Sequence, residues 1–157
     1  MVLFPMLNEA ALIEKEITIR QLRLTNEVLE TRRSIARWIA LSIGIINPGE
    51  SRLSAVAVLD AMMNFQFVKN YDPSYKEISE YVNVNWEEMN EKTLRYHLLR
   101  MKKMGLLQNN KGRFYFAPPE IGERYDVNVW AQSLFKAEHN AISDKIAHVV
   151  KELKTKN

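Results

Sequence analysis

The sequence predicts a mainly α-helical protein with one small β-hairpin. Apolar residues recur at helical spacing in three long stretches, residues 8–46, 53–68 and 128–154. Two short runs typical of strands, Leu-Leu-Gln at 106–108 and Arg-Phe-Tyr-Phe at 113–116, flank the loop Asn-Asn-Lys-Gly at 109–112. The chain is 46% hydrophobic and contains no cysteine, so a core can form and disulfides are excluded.

The first stretch predicts one long N-terminal helix over residues 8–46, with Asn8 as its N-cap. Its apolar stripe has spacings of 4, 7, 4, 7 and 4 residues and consists of Ile13, Ile17, Leu24, Val28, Ile35 and Ile39. The run Asn47-Pro48-Gly49 breaks this helix. A second helix is expected from about Leu53 to Val68.

A short helix is expected to follow, because Ser74 and Glu77 form a capping-box pattern, and to end near Val82. A third long helix, called the third helix below, is expected in "KTLRYHLLRMKKMGLL", residues 92–107, up to the turn at Gly105. The connection between the two, residues 83–92, admits two interpretations. Either the later helix begins early, with Asn85 and Glu88 as its capping box, or a turn is inserted.

After the hairpin, one long C-terminal helix is expected from about Asn128 to Lys154. Its apolar residues form two heptad-like sets with 4-3-4 spacing: Trp130, Leu134, Ala137 and Ala141, then Ile142, Ile146, Val149 and Leu153. The expected organisation is an N-terminal helical segment (1–50), a central domain (51–118) and a C-terminal helix (119–157). Exposed heptad seams favour a homodimer through the terminal helices over packing within the chain.

The positive charge is concentrated in one short window. The net charge of the chain is +3, but residues 89–116 carry seven basic side chains and one acidic one, Glu91. At about 100° per residue, Leu94, Leu98 and Met101 share one side of the third helix and its basic residues fill the other. A face of one charge sign indicates a polyanionic partner.

These segments are similar to the winged helix-turn-helix of ArsR- and MarR-type transcriptional regulators. The resemblance covers about residues 51–117 and is carried by "SYKEISEYV", "TLRYHLLRMKKMGLL" and "LLQNNKGRFYF". The positions that match the family pattern are Thr93, Leu94, His97, Leu98, Met101, Gly105, Leu106 and Leu107. The resemblance implies a winged helix-turn-helix and a regulator that binds double-stranded DNA. Together with the apolar periodicity of the terminal segments, the expected fold is a winged helix-turn-helix flanked by long N- and C-terminal helices.

The expected DNA-binding residues come from three places in the chain. On the third helix, Arg95, Tyr96, Arg100 and Lys103 are expected to reach bases or phosphates in the major groove, and Lys92 and Thr93 belong to the same surface. Lys111 and Arg113 at the hairpin are expected beside the adjacent backbone or minor groove. The resemblance adds phosphate contacts at Ser74, Tyr75 and Lys76, where the preceding helix begins.

Other chemistry finds little support in the sequence. The five glycines are dispersed, no carboxylate pairs with a nucleophile, and His139 and His148 lack a metal-binding spacing. His97 is interpreted as a structural histidine. We therefore expect no enzyme, no cofactor and no metal. The longest apolar run, residues 35–46, is too short to span a bilayer, which favours a cytoplasmic protein.

Two functional classes remain open from the sequence. A DNA-binding regulator is favoured, because the basic helix, the basic hairpin and the dimer helices agree. A winged-helix protein-interaction module is the alternative, supported by an exposed Leu99 and by acidic Glu87 and Glu88 near the basic face. A nonspecific or single-stranded binder would need more exposed aromatic residues than Tyr96 and Tyr115. The target sequence, the direction of regulation and any effector are not encoded in a recognisable motif.

Overall fold

A computed structural model describes residues 8–156. The main elements are α1 (Arg32–Ser42), α2 (Ser54–Met63), α3 (Tyr75–Asn85), α4 (Glu91–Lys103), β1 (Leu107–Asn110), β2 (Arg113–Phe116), α5 (Val127–Ser133) and α6 (Lys136–Leu153). Short 3-10 turns cover Glu9–Leu12 and Val28–Glu30, and a π-helical turn, Asn64–Val68, extends α2. The predicted fold class, mainly α with a small β-hairpin, is confirmed.

Helix α2 is the centre of the core. All residues from Ala55 to Met62 are buried, as expected for a helix that is apolar on nearly every side. The one polar residue among them is Asp60, which is also buried. Its carboxylate accepts hydrogen bonds from the Tyr81 hydroxyl at 2.8 Å and the Trp86 indole at 2.9 Å. The Arg32 guanidinium lies 2.7 Å from the same carboxylate and compensates its buried charge.

The hydrophobic core draws on the whole chain. Ala36 and Ala40 of α1 and Trp130 and Phe135 near the C-terminus belong to the same buried cluster as α2, α3 and α4. All three predicted segments, 1–50, 51–118 and 119–157, thus contribute residues to one core.

The long N-terminal helix predicted over residues 8–46 is wrong. Only α1 is α-helical in this range; residues 13–25 run extended along the end of α1. The Arg20 backbone N–H donates to the Ser42 carbonyl at 2.7 Å, and its guanidinium donates to the carbonyls of Leu41 and Ile46 and to the Asn47 side chain. These long-range bonds replace the bonds that a helix would have formed within the segment.

Helix α3 begins as predicted, with Ser74 and Glu77 completing a reciprocal capping box. It continues to Asn85, three residues beyond the predicted end at Val82. Helix α4 begins after its N-cap Asn90, so the early start with Asn85 and Glu88 is wrong and residues 86–90 form the inserted turn. Trp86 in this turn is held by Asp60 of α2, which fixes the start of α4 against the core.

The predicted hairpin is present, and β1 runs two residues further than expected, to Asn110. Leu107 pairs with Phe116 and Asn110 pairs with Arg113. Lys111 and Gly112 form the turn, both with positive φ, as the loop residues indicated. Phe116 is buried and Phe114 packs against the core, so these two side chains form the inward side of β2.

The single C-terminal helix predicted over residues 128–154 is wrong. It is divided into α5 and α6 by Leu134 and Phe135, and Phe135 has a left-handed backbone with φ of 55°. This break turns the Phe135 side chain into the core beside Trp130, so burial of two large aromatic residues compensates the strained conformation. Within the described residues, no helix is long and apolar enough to cross a membrane.

Candidate nucleic-acid interface

Helix α4 divides into a buried side and an outer side. Leu94, Leu98 and Met101 are buried in the core and hold the helix against α2. The outward side chains are exposed and largely basic: Lys92, Arg95, Tyr96, Leu99, Lys102 and Lys103. We call these six residues the outer face of α4. Its position relative to the core agrees with the helical periodicity of the sequence.

The beginning of α3 lies directly beside the outer face of α4. The Arg95 guanidinium lies 4.1 Å from the centre of the Tyr75 ring, a cation–π contact between the two helices. Burial, together with the negative charge of Glu91, raises the pKa of the Tyr75 hydroxyl. Tyr75 therefore remains a neutral hydrogen-bond donor at the edge of this surface.

The hairpin completes the same surface. Ser74 forms an isolated bridge with Arg113, and the Phe114 N–H donates to the Pro73 carbonyl at 2.9 Å. At the other edge of the hairpin, the Lys102 ammonium donates to the Asn109 side chain at 2.8 Å. The structure thus brings the start of α3, the outer face of α4 and the hairpin together, as the sequence predicted.

Several of the predicted cations are already paired within the chain. Arg95 lies 2.8 Å from Glu91, Arg113 lies 2.8 Å from Glu77, and Lys76 lies 4.0 Å from Glu80. The hydrogen bond from the Tyr71 hydroxyl, followed by that from the Ser74 backbone, lowers the pKa of Glu77. Glu77 therefore stays ionised beside Arg113 and reduces the net positive charge at the base of the hairpin.

Three predicted lysines keep their charge unpaired. Among residues 8–156, no carboxylate lies within ion-pair distance of Lys92, Lys103 or Lys111. All three side chains are exposed, the first two on the outer face of α4 and the third at the hairpin turn. These three lysines are therefore the positions on this surface where an anion is expected to bind most readily.

Arg100 does not belong to the outer face, contrary to the prediction. It is half-buried, and its guanidinium donates to the Ile45 carbonyl at 2.7 Å. This bond joins α4 to the loop after α1, so Arg100 helps to position α4. Ser74 and Thr93 are likewise half-buried, and the Ser74 hydroxyl is engaged in capping α3.

His97 has the structural role expected from the sequence. Its Nε2 lies 2.8 Å from the Ser54 hydroxyl, which joins α4 to the first turn of α2. Burial, and then the charge of Arg100, lower the pKa of the imidazole. A neutral ring therefore sits behind the outer face and adds no positive charge to it.

Arg52 is a candidate contact that the sequence analysis missed. It is exposed and lines a cavity of about 470 Å³ together with Lys92, Tyr96 and His97. Ser54, in the first turn of α2, also lines this cavity. The side chain of the N-cap residue Leu53 forms no capping hydrogen bond with α2. Arg52 lies outside the basic window 89–116, so only the packing of α2 against α4 shows that the two regions meet.

Two acidic segments border the basic surface. Glu87 and Glu88 are exposed in the turn before α4 and line a separate cavity of about 410 Å³ with Arg33 and Arg52. On the other flank, Glu16 of the extended N-terminal segment lines a groove of about 390 Å³ beside Tyr96, Leu99 and Lys103. These carboxylates add negative charge at two borders of the basic surface.

No match emerges from comparison with known proteins. No family model fits the chain, and no curated protein and no solved structure is significantly similar to it. The described residues also contain no group of three His, Cys, Asp or Glu side chains able to hold a metal ion. The function is therefore argued from the arrangement of the surface alone.

Proposed function

We propose that this protein binds double-stranded DNA as a transcriptional regulator, with the outer face of α4 in the major groove and the hairpin beside the adjacent backbone. The observation that carries the proposal is the unpaired charge of Lys92, Lys103 and Lys111 on one surface. These lysines come from a helix anchored in the core and from the turn of a hairpin packed beside it. A rigid basic helix has the width that the B-DNA major groove accepts.

The contacts divide by their chemistry. Lys92, Lys103 and Lys111 are assigned to phosphates, because a lysine ammonium acts as a point charge. Arg95 and Tyr96 are assigned to base edges, since both project from the outer face of α4. Arg95 would exchange its exposed ion pair with Glu91 for a base, at little energetic cost. Arg52 adds a phosphate contact at the start of α2.

The remaining parts of the proposal concern assembly and location. We propose a homodimer through the C-terminal helix α6, a cytoplasmic location and no catalytic activity or cofactor. A dimer with two outer faces would read a site with two related halves, spaced according to its two-fold axis. On the order of six to ten phosphate contacts are expected for such a complex.

The test is equilibrium binding of the full chain to labelled duplex DNA across a salt series, comparing random sequence with the region upstream of its own gene. Tighter binding to the upstream fragment and a linear fall of log affinity with log salt are expected. Replacing Lys92, Lys103 and Lys111 by Ala should reduce the magnitude of the salt slope by about 2.7 per bound chain.

A matched control separates surface contacts from loss of overall charge. Replacing Lys136, Lys151 and Lys154, which are exposed on or next to α6, removes the same charge and should leave the slope unchanged. Equal effects of the two triple variants, or no binding even at low salt, would overturn the proposal.

A second function, a protein-interaction module, is favoured by one observation. Tyr96 and Leu99 are 60% and 52% exposed on the outer face of α4 and border the groove beside Glu16. Large apolar side chains at the centre of an exposed helix are typical of protein interfaces. Absence of DNA binding by a folded protein would favour this alternative.

A further inference from the structure

Helix α6 has an apolar side that the described chain leaves largely exposed. It spans eighteen residues and none of them is buried. Ile146, Val149 and Leu153 are 59%, 63% and 68% exposed, and Ile142 lies half-buried on the same side. Their 4-3-4 spacing places them in the core positions of a two-helix coiled coil. We call these four residues the α6 seam.

Two opposite charges flank the α6 seam on one side. Lys145 precedes Ile146 and Glu152 precedes Leu153, so both occupy the same flanking position in successive heptads. In an antiparallel pair, this flanking position faces its own equivalent on the partner helix. Lys145 of one helix would then oppose Glu152 of the other, and the two-fold symmetry would form this pair twice.

The core of such a pair is consistent with the same register. When Ile146 faces Val149 of the second helix, Ile142 faces Leu153, and every layer joins two large apolar residues. A parallel pair would instead place Lys145 opposite Val150, and no pair of opposite charges would form across the seam. The charges therefore favour the antiparallel orientation.

We infer that α6 pairs with α6 of a second copy in antiparallel orientation, with Lys145 of each chain opposite Glu152 of the other. This inference rests on the dimer of the proposed function and specifies its interface, but it requires no DNA. Self-association and DNA binding are measured separately, so failure of either one is distinguishable from failure of the other.

The contacts of α6 within the chain do not block this pairing. Lys145 lies 2.9 Å from Glu14, and the two side chains are 73% and 78% exposed. Such an exposed ion pair holds its partners weakly, so Lys145 is able to exchange Glu14 for Glu152 of the second copy. The contact of Glu138 with Lys15 lies before the first seam residue and stays outside the interface.

Charge exchange tests the orientation and register. Sedimentation equilibrium of the full chain, without DNA, should show a reversible dimer. Lys145→Glu alone, or Glu152→Lys alone, creates two like-charge pairs and should raise the dimer dissociation constant tenfold or more. The double variant Lys145→Glu/Glu152→Lys restores both pairs with reversed sign, and its dissociation constant should return to within about threefold of the original.

The control is Lys151→Glu, which makes the same charge change on the opposite side of α6 and should leave the dissociation constant nearly unchanged. Ile146→Lys should abolish the dimer without unfolding the chain, because this side chain is outside the core. A monomer at all concentrations, a dimer unaffected by Ile146→Lys, or a double variant no tighter than the two single variants would overturn the inference.

Discussion

Helices α4 and α6 are both amphipathic, but they differ in whether the apolar side is buried. In α4 the apolar side is buried in the core and the basic side is exposed, whereas in α6 the apolar side is itself exposed. An exposed basic side is well solvated and attracts an anion, while an exposed apolar side lowers its free energy by meeting another apolar surface. The difference teaches that one chain presents two surfaces of different chemical character, one basic and one apolar.

The largest expected difference between the two helices is in stability. Leu94→Ala removes a fully buried side chain of α4 and should lower the free energy of unfolding by about 2–5 kcal/mol. Ile146→Ala on α6, measured by urea denaturation at a concentration that keeps the chain monomeric, should change it by less than about 0.5 kcal/mol. Equal losses would show that α6 is part of the core after all.

The segment between the hairpin and α5 is joined to the chain before α3 through Asp72, which bonds Arg124 and Tyr125. Burial raises the pKa of this carboxyl, but hydrogen bonds from Gln66, Arg124 and Tyr125 and the charge of Arg124 outweigh burial and lower it overall. Asp72→Asn should therefore cost about 1–3 kcal/mol of unfolding free energy at pH 7.

The effect of Asp72→Asn should depend on pH in a defined direction. Because the pKa is lower in the folded chain, the carboxylate stabilises the fold above its ordinary pKa of 3.8, and this stabilisation is lost as the pH falls through the lowered value. Urea titrations at several pH values should show the difference between the two proteins shrinking below pH 4. A difference that is constant with pH would contradict the role of the ionised carboxylate.

The direct contact between the two regions is at Gly105, where α4 ends close to Glu138 of α6. Gly105 has φ of +85°, and an added Cβ would overlap the Glu138 carboxylate. Gly105→Ala should cost about 1–2 kcal/mol from backbone strain and displace Glu138 from Lys15.

Gly112→Ala is the matched control for this substitution. Gly112 also has positive φ, at +76°, but has open space around its Cβ position. It therefore measures the backbone strain alone, and thermal unfolding of the two variants gives the difference. A smaller loss for Gly105→Ala than for Gly112→Ala would show that α4 and α6 do not approach each other here.

The smallest expected effect is that of a single lysine on DNA binding. Lys103→Ala should reduce the salt slope by about 0.9 per bound chain and weaken binding to all sequences alike. Lys151→Ala on α6 removes the same charge and should leave the slope unchanged. If Lys103→Ala changes sequence preference while keeping the slope, Lys103 contacts a base and not a phosphate.

The structural features that the sequence predicted correctly depend on residues close together in the chain. The capping box of Ser74 and Glu77, the hairpin with its turn at Lys111 and Gly112, and the buried side of α4 all follow from local chemistry and periodicity. The two sides of α4, and hence most of the candidate surface, were therefore predictable.

The errors arise where distant parts of the chain compete with local preference. The Arg20 guanidinium donates to carbonyls at and after the end of α1, and these bonds favour a non-helical conformation of residues 13–25. The Arg100 guanidinium donates to the Ile45 carbonyl and therefore does not lie on the outer face of α4. Phe135 adopts a left-handed conformation without the glycine that usually marks one, because its ring reaches the core. These contacts join residues far apart in the chain, so no local sequence pattern predicts them.

The extended N-terminal segment also has a consequence for the order of folding. Glu14 and Lys15 contact Lys145 and Glu138, partners separated from them by 131 and 123 residues. During synthesis, these contacts form only after α6 has left the ribosome, whereas contacts among α1 to α4 are able to form earlier. Contacts with such large sequence separation also form late in refolding, because closing the intervening loop costs entropy first. Glu14 and Lys15 precede α1 in the chain but are thus among the last residues to reach their final contacts.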